Sequence, residues 1–378
     1  MTTPIQLARS YARSYETSSR KDKGTILDTL TEATGWTRDH ARHQLRSQIH
    51  QIKAGVALDA VVDRRRLKPK KFSSPARRAL ELVWKSSGRP CGKYLEAAMS
   101  DCIDSLERHG HLREGRRGYS SSVRDELLDI SAATIDRYLR SAKAGDHDES
   151  WLTGTGTGMR ASLPRQRMRS LLEPEPGYFI VELLMVTTPT GEECVTVTFT
   201  DVEIGWVHTK TFSPGMPVVD MLTDMVRAVP YIVTGILLAP PLPAEDIETW
   251  ASESLIEFHS MSDLRQGSRV PDWTFSDLDL PLGAPSDLGA AIERVNELWD
   301  ALGDRLNFFM PVKNPVGWRR TPAGERRREY DRPDTPVSRL LNSGILCPDQ
   351  TREMRETGRG LDIAALTARI EELKTTLH

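Results

Sequence analysis

"GILLAPPLPAED", residues 235–246, decides how the second half of this chain is read. Ile236-Leu237-Leu238-Ala239 is an apolar run that stops at Pro240-Pro241, and acidic, helix-favouring residues follow. The pattern predicts a buried strand running into a loop at the edge of a sheet. Ligands of open α/β sheets gather at the carboxyl ends of strands. This strand end offers no side chain that holds a metal or moves a proton, and the two prolines also remove backbone donors.

Outward from that strand, the period stays close to two. "YFIVELLMV" (178–186), "ECVTVTFTDV" (193–202) and "GWVHTKTF" (205–212) predict three strands joined by turns at "PTGE" and "EIG". "PVVDMLTDMVRAV" (217–229) predicts an amphipathic helix, "YIVTGILLA" (231–239) a fourth strand, "AEDIETWASES" (244–254) a helix and "LIEFHSM" (255–261) a fifth strand. Three meandering strands, helix, strand, helix, strand is the order of the ribonuclease H-like fold. Beyond it, "DLGAAIERVNELWDALGDRLNFF" (287–309) places Ala291, Val295, Leu298 and Leu302 on one helical face. "WRRTPAGERRREYDR" (318–332) is a basic island, and "LDIAALTARIEELKTTL" (361–377) a closing helix.

The 378 residues allow two or three domains. The 38% hydrophobic and 28% charged residues suit a globular protein, and no apolar run nears the roughly 20 residues of a spanning helix. The N-terminus lacks the apolar core of a signal peptide. Four scattered cysteines without a CxxC pair predict reduced thiols in a cytoplasmic protein. The net charge of −2 hides a split: residues 1–170 carry 32 basic and 20 acidic side chains, and the remainder 19 and 33. A basic half beside an acidic one points the basic half toward nucleic acid.

That basic half contains two helix-turn-helix patterns. In "KGTILDTLTEATGWTRDHARHQLRSQI" (23–49), Gly35 breaks two helical stretches and Thr37 is a good N-cap. Ala41 and Leu45 face inward, leaving Arg38, Arg42, His43 and Arg46 outward. In "SVRDELLDISAATIDRYLRSAKAG" (122–145), Ser131 caps a helix with Ile135 and Leu139 inside. Thr134, at its start, is small enough to approach base edges, and Arg137, Arg140 and Lys143 line its outer side. Residues 74–110 predict two more helices, with Ala79, Leu82 and Val83 facing a core. "DRRRLKPKKF" (63–72) joins the blocks and supplies Arg64, Arg65, Arg66, Lys68, Lys70 and Lys71 for phosphates. Residues 146–176 predict a tether. Its "GTGTG" neither follows a strand nor opens a clear helix, so it lacks the context of a dinucleotide loop. The histidines of "HARH" (40–43) and "HGH" (109–111) have too few neighbouring ligands for a metal site.

The chain resembles the DDE-type transposases of bacterial insertion sequences, in the retroviral-integrase superfamily. The likeness rests on "TILDTLTEATGWTRDHA", "RPCGKYLEAAM" and "LLDISAATIDRYLR" in the first half, and on "PGYFIVELLMV", "TFTDVEIGWV" and "VTGILLA" in the sheet. "LNFFMPVKNPVGWRRTPAGERRREYDRPDTPVSRLL" near the end carries it further. Such enzymes hold two divalent cations with two Asp and one Glu. The resemblance puts Glu182 at the first acid position and Ala239 at the second, and finds no matching Glu in 263–287. It therefore implies vestigial active-site positions at Glu182 and Ala239, no catalytic residue, no metal and no cofactor.

The combined expectation is a multidomain α plus α/β protein. A helical DNA-binding region spans 1–145, a linker 146–176, a ribonuclease H-like core 177–310, and a small extension with a basic segment and helix 311–378. It would bind double-stranded DNA in the cytoplasm, associated with the nucleoid, without cutting or joining strands. Its core would serve for dimerisation or for holding a protein partner, away from any membrane. One alternative is an active, Mg²⁺-dependent transposase using displaced carboxylates: Glu182, Asp201, and Asp263 or Asp277. Another is a protein-interaction scaffold.

Overall fold

The structure is a computed structural model, and it describes residues 4–55, 71–145, 175–187, 193–238, 245–260, 288–321 and 324–377. Among them are thirteen helices, one five-stranded sheet and one two-stranded sheet. The chain divides into two compact units, Met1–Lys71 and Phe72–His378.

The first unit is a three-helix cluster: α1 (Pro4–Thr17), α2 (Arg20–Thr34) and α3 (Arg38–Lys53). Ala8, Ala12 and Ala41 are fully buried together with Leu27, Leu30 and Leu45, small residues bringing the helix backbones close. Gly35, at φ 70°, ends α2 in the left-handed conformation that suits a residue without a Cβ. Thr37 then opens α3, its hydroxyl accepting the His40 N–H at 3.3 Å.

The second unit begins with four helices: α4 (Ser74–Ser86), α5 (Gly92–Arg108), α6 (Ser121–Leu128) and α7 (Ala132–Gly145). The sheet follows, with β1 (Tyr178–Thr187), β2 (Glu193–Asp201), β3 (Val207–Phe212), α8 (Val218–Ala228), β4 (Gly235–Leu238), α9 (Glu245–Glu253) and β5 (Glu257–Ser260). Its spatial order is β3-β2-β1-β4-β5. The first three strands pair antiparallel; β4 lies parallel to β1, and β5 parallel to β4. The step from β4 to β5 is a strand-helix-strand crossover, whereas β4 reaches β1 only after β2, β3 and α8 have intervened in the chain.

Side-chain alternation gives this sheet two distinct faces. Phe179, Val181, Val197 and Phe199 belong to the large core that also takes in α8, α9 and α4–α7. The opposite face carries Ile180, Glu182, Thr198 and Thr196, and α10 (Leu288–Phe309) lies along its β3 side. β3 is a sheet edge, and α10 covers it with two asparagines. Asn307 accepts the Val207 N–H and donates to the Val207 carbonyl, both at 2.8 Å. Asn296 does the same for Thr211, at 2.8 and 2.9 Å. Two side-chain amides thus replace the missing neighbour strand, which blunts an edge otherwise open to pairing.

The chain closes with a hairpin of β6 (Pro315–Arg320) and β7 (Arg326–Tyr330), then α11 (Pro336–Ser343), α12 (Pro348–Gly360) and α13 (Ile363–Leu377). Ile370 and Leu373 of α13 pack on Ala291, Val295 and Leu298 of α10, so both amphipathic faces are used inside the chain. α13 also returns to the first helices of the unit. Ser105 Oγ donates to the Leu361 carbonyl at 2.9 Å, and Thr367 Oγ1 to the Ser86 carbonyl at 2.6 Å. The compact units therefore divide at Lys71/Phe72, not at the expected residue 145: α4–α7 share a core with the sheet and the closing helices. The expected linker lies outside the described residues except for 175–176. No described helix is long and apolar enough to cross a membrane.

Candidate nucleic-acid interface and the carboxylates of the sheet

The helices α3 and α7 present their cations differently. On α3, Arg38 turns back onto α2, forming an ion pair with Asp28 and donating to the Gly24 carbonyl at 3.4 Å. Arg42 pairs with Asp39 at 2.7 Å. His43 and Arg46 are exposed. Arg64, Arg65, Arg66, Lys68 and Lys70 lie outside the described residues, and Lys71 is exposed.

On α7, Ile135 and Leu139 are buried as the spacing requires, and Arg137 and Arg140 are exposed. Ser131 accepts the Thr134 and Ile135 N–H groups through its carbonyl, and its hydroxyl donates to Thr134 Oγ1 at 3.0 Å. Thr134 thus belongs to the start of the helix as well as to its outer side. Arg137 lies 5.4 Å from the Tyr138 ring centroid, and its guanidinium reaches Thr134 Oγ1 at 3.4 Å. Lys143 is held by Asp136 at 2.8 Å. The same Asp136 oxygen accepts the Gly92 N–H at 2.9 Å. Burial works against the Asp136 charge, but the bonds from Lys143 and Gly92 outweigh it and hold its carboxyl below the usual range.

Gly92 explains why "RPCGKYLE" reads as it does. A Cβ there would lie 2.3 Å from the Ala132 carbonyl oxygen and 2.8 Å from Asp136 Oδ2. Only a glycine lets the start of α5 touch the start of α7, and that contact fixes the angle at which α7 shows its arginines.

Two carboxylates are sunk into the sheet. Glu182 sits in the middle of β1 opposite Thr198 of β2. Burial alone pushes its carboxyl up to about 6. The parallel pairing with β4 ends at Val181 opposite Leu238, one residue before Glu182. Ala239, Asp263 and Asp277 lie outside the described residues.

Asp201, expected as a neighbour of Glu182, is placed elsewhere. It stands opposite Phe179, an odd number of residues from the Glu182–Thr198 pair, so its side chain lies on the other face of the sheet. There it accepts four hydrogen bonds: from Gly177 N and Glu203 N at 2.8 Å, Ile204 N at 2.6 Å and Tyr231 Oη at 2.9 Å. Burial pushes its carboxyl up and the four donors pull it back. It is the bolt of the β2–β3 turn and of the entry to β1, and it cannot share a cation with Glu182. Among the described residues, no group of three or more His, Cys, Asp or Glu is arranged to hold a metal.

The basic island proves to be the β6–β7 hairpin, with an exposed Trp318 under the guanidiniums of Arg326 and Arg328, at 4.8 and 5.1 Å from the ring centroid. The sequence pattern missed it as a strand pair because arginine occupies both faces and erases the polar-apolar alternation.

No protein-family model matches this chain. It is similar to the uncharacterized protein y4rM of Sinorhizobium fredii, 29% identical over 245 residues, which are 62% of this chain. The chain spans about 65% of that relative's length.

Proposed function

We propose that this protein binds double-stranded DNA through its two cation-bearing helices, α3 and α7. We further propose that its sheet is a ribonuclease H-like core, derived from a DDE-type transposase or integrase, that neither cuts nor joins strands. The observation that carries the reading is α7, a helix seated rigidly by Gly92, Asp136 and two buried aliphatic residues, with Arg137 and Arg140 pointing to solvent. A rigid, exposed helix with arginine on its outer side is what major-groove readout requires.

The strand order β3-β2-β1-β4-β5, with an antiparallel meander and two parallel crossovers, supports the ribonuclease H-like part. A two-cation centre needs several oxygen ligands on one side of the sheet. The described residues do not fit one, since Glu182 lacks a carboxylate neighbour among them and Asp201 faces away. The core then acts as a scaffold, for a second copy or for another protein, and the protein associates with the nucleoid.

The test is binding of the full chain to a genomic fragment library at several salt concentrations, followed by sequencing of the retained fragments. Recovery of a shared motif, lost in Arg137→Ala/Arg140→Ala, supports the reading. Retention without sequence preference that the double variant leaves unchanged sinks α7 as the reader.

A further inference from the structure

The β6–β7 hairpin is anchored at its stem and bare along its strands. Asn314 and Asp331 clasp each other, Asn314 N donating to Asp331 Oδ1 at 2.7 Å and Asp331 N to the Asn314 carbonyl at 2.9 Å. Asn314 Nδ2 then donates to the Glu203 carbonyl at 2.8 Å, tying the stem to the β2–β3 turn. Arg339 of α11 holds Asp331 at 2.8 Å from the other side. Beyond this clasp the strands carry Arg319, Arg320, Arg326 and Arg327 exposed, and Trp318 keeps 55% of its surface in solvent.

The register stacks like charges: Arg319 faces Arg327 and Arg320 faces Arg326 directly across the ladder. Such pairs oppose strand pairing, and an isolated two-stranded hairpin is marginal to begin with. An anion of repeating negative charge removes that repulsion. The two faces differ further. Arg319 and Arg327 have carboxylates beside them, Glu329 at 3.6 Å and Glu325 at 4.0 Å. Trp318, Arg320, Arg326 and Arg328 share the other face, where alternation puts an indole and three guanidiniums side by side.

We infer that this hairpin is a second DNA contact, a ribbon whose Trp318-Arg320-Arg326-Arg328 face enters the major groove of a duplex. The inference rests on the DNA-binding reading above. The B-form major groove, about 12 Å wide, admits a two-stranded ribbon. The deep, narrow major groove of A-form RNA does not. Guanidiniums already aligned over an indole lose less freedom on meeting phosphates than free arginines do.

The test uses the full chain and a duplex of scrambled sequence, with affinity measured by fluorescence anisotropy across a salt series. Arg320→Gln/Arg326→Gln/Arg328→Gln is expected to weaken binding at least tenfold and to make the salt slope shallower by about 2 to 3, since each phosphate contact contributes about 0.9. Arg319→Gln/Arg327→Gln, on the other face, is expected to do less; an equal loss would overturn the choice of face. Single strands binding as tightly as the duplex would overturn the groove assignment. Limited trypsin digestion of the unaltered protein supplies a readout free of folding effects: bound duplex is expected to suppress cleavage after Arg319, Arg320, Arg326 and Arg327. Unchanged cleavage, or an unchanged salt slope in the triple variant, removes the hairpin from the interface. If Arg137→Ala/Arg140→Ala still weakens binding in that case, the helix reading survives alone. If the unaltered chain binds no duplex at low salt, both fall.

Discussion

The outer face of α7 and the inner faces of the sheet handle charge in opposite ways. On α7 the cations stand in solvent, Arg137 and Arg140 exposed above buried Ile135 and Leu139. In the sheet the acids are withdrawn, Asp201 into a cage of four donors and Glu182 into a face where burial is the only influence on its proton. The first arrangement leaves positive charge open to a polyanion, and the second places the two carboxylates on opposite faces of the sheet, where they cannot share a cation. Within the sheet, the contrast is as sharp. Asp201 has a structural task, and removing it strands four buried donors. Glu182, half-buried on the opposite face, has no such bonds among the described residues, and desolvating a carboxylate without partners costs free energy.

Substitutions that erase one side of this contrast sharpen it. The largest effect is expected at Asp201. Asp201→Ala leaves the Gly177, Glu203 and Ile204 N–H groups and the Tyr231 hydroxyl without their acceptor, a loss of about 3–5 kcal/mol in denaturant unfolding. Gly92→Val forces the starts of α5 and α7 apart and is expected to cost about 2–3 kcal/mol. It should also lower DNA affinity more than its stability loss explains, because α7 is then presented wrongly.

Glu182→Gln has the opposite sign. A carboxyl raised by burial favours the folded state while protonated, so its contribution is full below the unfolded value, 4.5, and is lost as pH rises through about 6. Wild-type stability is expected to fall by about 2 kcal/mol across that window from this group, and the variant's curve to be flatter by the same amount. Parallel pH curves in thermal melts would show that the site is better solvated than its surroundings imply. The smallest effect is expected at Arg42: its exposed pair with Asp39 is worth less than about 1 kcal/mol. Arg42→Ala should leave stability nearly unchanged, as unfolding in urea would show.

The succession of strands along the chain was legible because "YFIVELLMV", "ECVTVTFTDV" and "VTGILLA" alternate or run apolar between clear turn residues, and the structure forms strands within each. Thr37 and Gly35 were legible for the same reason, since caps are local chemistry. What local chemistry does not encode was missed. The compact-unit boundary at Lys71/Phe72 was not legible because Ser86 and Ser105 meet α13 and Leu361, two residues before it, more than 250 positions later. Nothing near Asn296 or Asn307 marks them as the cover of an edge strand; they are two more polar residues in an amphipathic helix that also carries six charged ones. Arg38 looked free on the helix, but Asp28 on the preceding helix claims it, a partner visible only once the turn at Gly35 brings the helices together. Asp201 lay near Glu182 in strand order and on the wrong face in fact, a matter of one residue of register.

The central claim is a protein that grips DNA and leaves its strands whole. A single gel tests it: supercoiled plasmid incubated with the full chain and Mn²⁺, run once with the protein in place and once after its removal. The account predicts retardation that disappears on deproteination and leaves covalently closed circles. Nicked or linear products that Glu182→Gln abolishes would contradict it.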